Sequence, residues 1–355
     1  MLTIGIDAHK RVHVAVALDE RGQEVGIWRG PNSRAGWAEL LAWAPGRSEG
    51  RQFGIEGAWG YGRGLAQHLV AADEHVYEVN ARWTAAGRRR ARNQSKTDRL
   101  DAQAVARFVC QEGLGLAQIT AEDESAVLDM LTVERNAAVG EATRTRNQLH
   151  AHLLQLDPEY HQHLPPLRSR AGVRAAKEYT VEGTDLLRLE RASAVRRLAV
   201  RLELAEDQAD EMANRIRALV ADRFLPLTRL CGVNLLTAGA IAGMLGPGRR
   251  FSTDAELAAY AGVSPLEASS ANTTRHRLNR GGNRRLNAVL YRIAITQAHH
   301  SPEARAYLSR RTSEGKTRKE AYRALKRYLA RAVFRLWAEC IRDMEACSAP
   351  RSTCG

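Results

Sequence analysis

The apolar pattern begins with short runs and gives way to long periodic ones. Leu2–Ile6 is an apolar run that stops at Asp7, Val12–Leu18 alternates as a second strand, and Glu24–Trp28 reads as a third. Ser33–Trp43 predicts a helix, with Ser33 as its cap and Pro45 just past its end. Gln52–Ile55 is another short strand, ending at Glu56. A helix over Gly62–Ala71, a strand over His75–Val79 and a helix carrying Asp98 and Asp101 follow. The order βββαβαβα predicts a mixed sheet with helices on its faces. Asp7 and Glu56 both fall just past the carboxyl ends of strands, where open α/β sheets place their sites.

Beyond residue 120 the period lengthens. Leu128, Leu131, Ala138, Ala142, Leu149 and Leu153 mark one helix over Glu122–Leu156. Val195, Leu198, Leu202, Ala205, Ala209, Met212, Ile216 and Leu219 recur in steps of three and four, a heptad seam flanked by Arg, Glu and Asp. His161–Pro166 breaks the chain between them. The two long helices pack on each other or on a second protomer, and the pattern leaves both arrangements open. Further on, Leu230–Gly239 (LCGVNLLTAG) resembles a helix-hairpin-helix, which turns backbone N–H groups toward a phosphate. Asn234 stands where the second glycine would be and tolerates left-handed backbone better than most residues. Thr253 and Glu256 form a capping box for the helix that ends at Ala261. The regions expected are 1–112, 120–225 and 226–345, with a tail over 346–355.

Charge changes the picture at the carboxy-terminal end. The net charge of +13 and a pI near 10.0 point to a polyanionic partner, most simply nucleic acid. Arg275–Arg335 alone holds 17 Lys or Arg against 3 acids, a local +14, so the rest of the chain is nearly neutral. That concentration predicts a binding surface. Its candidate phosphate contacts are Arg275, Arg277, Arg280, Arg284, Arg285, Lys316, Arg318, Lys319, Lys326 and Arg327. Tyr291, Tyr307, Tyr322 and Tyr328 are available for stacking on bases. The Gly281–Gly282 pair is expected to make a turn whose backbone can approach phosphate. Five cysteines without a CxxC pair suit a reducing compartment. No signal peptide is evident and no apolar run nears the roughly 18 residues of a membrane span, so a cytoplasmic protein is expected.

The candidate chemistry lies in the first region. Asp98 and Asp101 are three residues apart, which on a helix sets both carboxylates on one face. Arg88, Arg89, Arg90 and Arg92 precede them and could hold phosphate. Four acids (Asp7, Glu56, Asp98 and Asp101) from two strand ends and one helix can converge on one point. Such a cluster suits two divalent ions about 4 Å apart, stabilising the attacking and leaving oxygens of a phosphoryl transfer. Hard oxygen donors favour Mg2+, with Mn2+ as the alternative, over zinc. A structural reading stands beside this: Ser95 and Asp98 form a capping box, and acids at strand ends are common in turns. His9 and His13 are as readily turn or surface residues as ligands.

The segments GIDAHKRVHVAVAL, FGIEGAWGYGRGLAQHL and NQSKTDRLDAQAVARFV resemble the amino-terminal domain of the DEDD insertion-sequence transposases, a family that includes the Piv-type invertases. The KTDRLDA string is the specific part. GVSP, the pair Ser269–Ser270, LNRGGNRRLN and EGKTRKEAYRALKRYLARAVF are similar to the same family's carboxy-terminal domain. The resemblance implies an RNase H-like (RuvC-like) α/β domain, a helical coiled-coil middle that supports oligomerisation, and a mainly α carboxy-terminal domain. It also implies that Asp7, Glu56, Asp98 and Asp101 bind the metal, and that a serine of the pair bonds covalently to DNA. Ser270 precedes the position where the family usually has glycine and Ala271 stands here, so Ser270 is the expected nucleophile and Ser269 orients the loop. As resemblance implies, the partners are DNA, an element-encoded non-coding guide RNA and further copies of the chain, in a dimer or tetramer.

The activity expected is that of a DNA transposase or recombinase excising and integrating an insertion element. A structure-specific Mg2+-dependent nuclease and a nucleic-acid-binding protein with purely structural acids are the alternatives. An actin-like sugar kinase also opens with a strand-end Asp and a hairpin, but no second phosphate loop or Gly-rich adenosine segment is found.

Overall fold

The computed structural model of the 355-residue chain describes residues 1–45, 50–80, 97–113, 116, 118–248, 250–267, 276–277 and 282–348, with backbone alone at 266–267, 276–277 and 345–348. These fall into two compact units. The first consists of Met1–Asp123, Leu245–Asn287 and Lys319–Arg335; the second of Glu124–Met244, Ala288–Arg318 and the chain from Leu336 onward.

The first unit is built on a five-stranded sheet. Its elements are β1 (Leu2–Ala8), β2 (Val12–Leu18), β3 (Glu24–Pro31), α1 (Arg34–Trp43), β4 (Arg51–Glu56), α2 (Arg63–Ala71), β5 (His75–Val79) and α3 (Asp98–Glu112). The strand order is β3-β2-β1-β4-β5, antiparallel on the β2–β3 side of β1 and parallel on the β4–β5 side. Side chains alternate across the sheet. Ile4, Ile6, Phe53, Ile55 and Val76 pack with Leu40, Leu65 and Leu69 of α1 and α2 on one face. Val14, Val16 and Leu18 meet Ala102 and Ala106 of α3 on the other, where Tyr77 and Val79 meet Val105 and Val109.

α3 sits unusually close to the strands because two glycines let it. A Cβ on Gly5 would stand 2.2 Å from the Ala106 backbone nitrogen, and one on Gly54 2.3 Å from a Val109 methyl. The first unit also holds α9 (Asp254–Tyr260), the two-stranded pair β6 (Leu266–Glu267) and β7 (His276–Arg277), and the start of a helix at Arg284. Arg250 ties this later segment to the sheet. Its side chain is nearly buried, pairs with Glu78 of β5 at 2.5 Å, and lies over the rings of Trp59, Phe251 and Tyr260.

The second unit is organised by α4 (Glu124–Leu156) and α7 (Leu186–Leu219), with a single turn α5 (Tyr160–His163) and α6 (Arg170–Lys177) between them. Glu124 at the start of α4 pairs with Arg223 just beyond α7, and Glu141 with Arg201, so the two helices run antiparallel. The heptad positions Val195, Leu198, Leu202, Ala205, Ala209, Met212 and Ile216 are buried, as are Leu128, Leu131, Ala142, Leu149 and Leu153 opposite them. The seam is therefore filled within the chain. A π-helical turn (Val220–Phe224) and a 3-10 turn (Leu225–Arg229) lead to α8 (Leu235–Leu245). Gly232 takes the left-handed backbone (φ 89°), whereas Asn234 does not; its Oδ1 accepts from the Thr237 backbone N–H at 2.8 Å and caps α8. The hairpin is thus a Gly turn followed by an Asn cap. The remaining helices are α10 (Arg284–His300), α11 (Pro302–Ser313) and α12 (Arg318–Ser348). Cys110, Cys231 and Cys340 are free thiols. No helix among the described residues is long and apolar enough to cross a membrane.

Candidate active site

The acids come together because of backbone register. β1 and β4 are parallel neighbours, and Asp7 lies directly opposite Glu56. Alternation places Thr3, Gly5 and Asp7, with Gln52, Gly54 and Glu56, on the face that carries α3. The small residues Gly5 and Gly54 let the helix rest on the strands, which brings its first turn, with Asp98 and Asp101, over their ends. Thr97 caps that turn, its Oγ1 accepting from the Leu100 N–H at 3.3 Å. The cap is therefore Thr97; Ser95 lies outside the described residues. Two acids in the first turn also face the positive end of the helix dipole.

Asp7 and Asp101 are buried, while the Asp98 side chain is half exposed. Burial holds the Asp7 carboxyl above its ordinary range; the charges of Asp101 and Glu56 push the same way, and His9 opposes them. That coupling places Asp101 and Glu56 in electrostatic reach of Asp7. His9 Nε2 is 3.0 Å from Asp7 Oδ2 and 3.5 Å from Asp98 Oδ1, and one ligand atom from each of Asp7, His9 and Asp98 lies within 4.8 Å of the others. His13, by contrast, is buried, and burial lowers its pKa, as suits a neutral core imidazole.

Asp7, His9 and Asp98 offer ligand atoms close enough to share a metal ion, with Glu56 paired beside Asp7 in the sheet and Asp101 on the same helix turn as Asp98, and Asp7 is held protonation-prone chiefly by burial. The residues present therefore fit a divalent metal ion.

The other candidates are less uniform. Arg88, Arg89, Arg90, Arg92, Ser269, Ser270, Arg275 and Arg280 lie outside the described residues. The serine pair falls between β6 and β7, so its flanks belong to the same compact unit as the acids. Arg277 is described only by its backbone in β7. Arg284, Arg285, Lys316, Arg318 and Lys319 are exposed. Two expected phosphate contacts have partners within the chain. Lys326 is buried, its Nζ donates to Asn287 Oδ1 at 2.8 Å, and burial lowers its pKa. Arg327 pairs with Asp254 at 3.1 Å.

Gly282 likewise serves packing. A Cβ there would come 2.2 Å from the Gly262 nitrogen, so the glycine is needed for two stretches of this chain to cross. Asn283 and Asn287 complete the crossing: Asn283 Oδ1 accepts from Leu286 N–H, and Asn287 Nδ2 donates to the Ala261 and Gly262 carbonyls. Of the tyrosines, Tyr291 and Tyr328 are exposed.

Sequence reasoning passed over Asn32, Glu78 and Arg250. Arg250 and Glu78 meet across 172 positions, and Asn32 reaches His9, Lys10 and Tyr61 more than 20 positions away, so no local pattern signals them.

Against known families, residues 4–158 match the DEDD-type IS110 model, described as "Transposase", and residues 226–309 match one described as "Transposase IS116/IS110/IS902 family". Among curated proteins, the chain is 27% identical to the insertion element IS110 uncharacterized 43.6 kDa protein of Streptomyces coelicolor, over 68% of this chain and 70% of that one. It is 25% identical to the insertion element IS900 uncharacterized 42 kDa protein of Mycobacterium paratuberculosis, over 94% of each. It is 24% identical to the transposase for insertion sequence element IS1328 of Yersinia enterocolitica, over 56% of this chain and 58% of that one.

Proposed function

We propose, for a chain that carries the transposase domains of the IS110/IS116 insertion-sequence family, that it excises and integrates an insertion element by cutting and exchanging DNA strands at Asp7, Glu56, Asp98 and Asp101. The observation that carries this reading is the parallel register of Asp7 with Glu56 on the face covered by the first turn of α3. The sheet is then an RNase H-like (RuvC-like) catalytic domain. Divalent cations held there, Mg2+ or Mn2+, would neutralise charge on the scissile phosphate and on the oxygens that attack and leave. The acids orient that charge relative to the strand ends, and the burial of Asp7 and Asp101 keeps bulk water from screening it.

Ser270 supplies the nucleophile. Its Oγ attacks phosphorus, a serine O–P bond forms as one backbone P–O bond breaks, and the proton lost by the serine balances the one taken up by the freed sugar hydroxyl. Arg275 and Arg277 stabilise the phosphate charge. That the flanks of the serine pair share the acids' compact unit supports this assignment. DNA and an element-encoded guide RNA are held through phosphates by Arg88, Arg89, Arg90, Arg92, Arg280, Arg284, Arg285, Lys316, Arg318 and Lys319. The chain self-associates, as a dimer or tetramer. Since the heptad seam is filled internally, the exposed Leu186, Leu187, Leu189, Val200 and Leu204 of α7 are the positions that favour this. The protein acts in the cytoplasm.

Ser270→Ala should remove the covalent protein–DNA adduct and strand exchange, while DNA and RNA binding persist. An adduct formed by that variant, or a DNA-linked peptide at Ser269, would move the role to the other serine. Metal-dependent nicking by the wild type without any adduct would favour a plain nuclease. For self-association, Val200→Asp with Leu204→Asp should lower the mass seen by light scattering, and an unchanged mass would reject those positions.

A further inference from the structure

We infer that His9 is itself a ligand to the divalent cation of the acid centre, giving that centre a nitrogen donor and a preference for Mn2+ over Mg2+. The inference rests on reading the four acids as a metal centre and adds to it a residue of different chemistry.

The geometry is the first ground. Donors about 2.1 Å from one ion stand about 3.0 Å apart at right angles and about 3.4 Å apart in a tetrahedron. His9 Nε2 lies 3.0 Å from Asp7 Oδ2 and 3.5 Å from Asp98 Oδ1. Both distances from His9 thus match the spacing of ligands that share an ion, the ligand atoms of all three residues lie within 4.8 Å of one another, and the residues come from a strand end, the turn after it and a helix start. Packing does not force this position, because the His9 side chain is 49% exposed.

The second ground is that the turn bearing His9 is anchored. Asn32 Nδ2 lies within hydrogen-bond reach of the carbonyls of His9 and Lys10, both at 3.4 Å, and of Tyr61, at 3.2 Å. Its Oδ1 accepts from Trp37 Nε1 at 3.0 Å, and its backbone N–H donates to the Arg11 carbonyl at 2.9 Å. One buttressed asparagine therefore ties the β1–β2 turn to the loop that follows Glu56 and to α1. An imidazole rooted in a fixed turn loses less freedom on coordination than one on a loose loop.

The third ground is chemical. His9 Nε2 lies within hydrogen-bonding distance of Asp7 Oδ2, at 3.0 Å. As a ligand it presents the Nε2 lone pair, with the ring proton on Nδ1, so entry of a cation exchanges one interaction for the other at the same atom. Mg2+ dehydrates reluctantly and prefers an all-oxygen shell, whereas an imidazole nitrogen is a better partner for a first-row transition ion.

The test uses the full-length protein with Mn2+ alone as probe, read by pulsed electron paramagnetic resonance and by Mn2+ titration. Wild type, His9→Gln and Asp101→Asn are compared, with circular dichroism reporting the fold. The wild type should show the nitrogen coupling of a coordinated imidazole. His9→Gln should lose that coupling, still bind Mn2+ roughly tenfold or more weakly, and leave Mg2+ affinity nearly unchanged. Mn2+ bound without nitrogen coupling in the wild type, or coupling retained in His9→Gln, would overturn the role of His9 while leaving the acid centre standing. Failure of the wild type to bind Mn2+ would overturn the acid centre and His9 together, whereas binding unaltered by Asp101→Asn would remove Asp101 from the centre and leave His9 to be decided by its nitrogen coupling.

Discussion

The acid centre and the basic carboxy-terminal stretch are both dense in charge, yet the chain fixes them by opposite means. Each acid is placed by backbone geometry: Asp7 and Glu56 by strand register, Asp98 and Asp101 by the first turn of a helix seated on Gly5 and Gly54. In the basic stretch, position in the sequence says little about what a side chain touches. Arg284 and Lys319 are exposed, whereas Lys326 is buried against Asn287 and Arg327 pairs with Asp254. Register imposes convergence on like charges that repel, which is a reason to expect a cation. A count of charges imposes nothing, and of these cations Lys326 is buried while Arg327 is paired within the chain.

The largest loss is expected from disturbing the strand register and the helix seated on it. Gly5→Val would drive a side chain into the Ala102–Ala106 backbone of α3. It should destabilise the protein by about 3 kcal/mol and, by lifting the helix, remove metal-dependent cleavage. Thermal unfolding and a nicking assay on the same preparation check both effects. A Gly5→Val protein with wild-type stability and cleavage would show that the close seat of α3 does not place the acids.

A somewhat smaller effect concerns pH. The Asp7 carboxyl is held above its ordinary value, chiefly by burial. Folding therefore favours its protonated form, and the stability this contributes is complete below the unfolded carboxylate value and lost as pH rises through the folded one. Metal-free wild type should accordingly lose stability relative to Asp7→Asn as the pH moves from acid to neutral. Saturating Mg2+ should reverse that order by stabilising only the wild type, by about 2.7 kcal/mol at a hundredfold excess over Kd. Tm against pH, with and without Mg2+, reads the sign directly; parallel curves for the two proteins would remove Asp7 from the centre.

How much of this was legible in the sequence follows the same division. The strands and helices of the first unit emerge from short apolar runs, and so do the positions of the four acids on strand ends and one helix turn, because those features depend on neighbours a few residues away. Thr97, rather than Ser95, caps α3, since a cap is decided by one backbone torsion that composition does not encode. Asn234 proved to be a cap instead of a left-handed turn residue, and Gly282 crosses close over Gly262, while Gly281 lies outside the described residues. The buried roles of Lys326 and Arg250 depend on partners 39 and 172 positions away, beyond any local period. Seven of the eight heptad positions, all but the half-buried Leu219, are buried, and only the structure supplies their partner, the antiparallel helix α4.

The smallest effects sharpen the basic side. Arg284→Ala and Lys319→Ala should each lower the log–log salt dependence of nucleic-acid binding by about 0.7–0.9 while Tm stays constant. Lys326→Met should leave that slope unchanged and cost about 1–3 kcal/mol, because Asn287 loses a buried partner. Fluorescence anisotropy across a salt series, set beside thermal melts, separates the two classes. Equal slopes for all three variants would erase the distinction between surface and scaffold.

The central claim, that Asp7, Glu56, Asp98 and Asp101 form one metal-dependent strand-cleaving centre, is tested most directly by Mg2+-dependent nicking of DNA carrying the element ends. Asp101→Asn should reduce the rate by at least about a thousandfold, a loss of roughly 4 kcal/mol of transition-state stabilisation, with an unchanged circular dichroism spectrum and retained DNA binding. An Asp101→Asn protein that nicks at the wild-type rate in Mg2+ would contradict it.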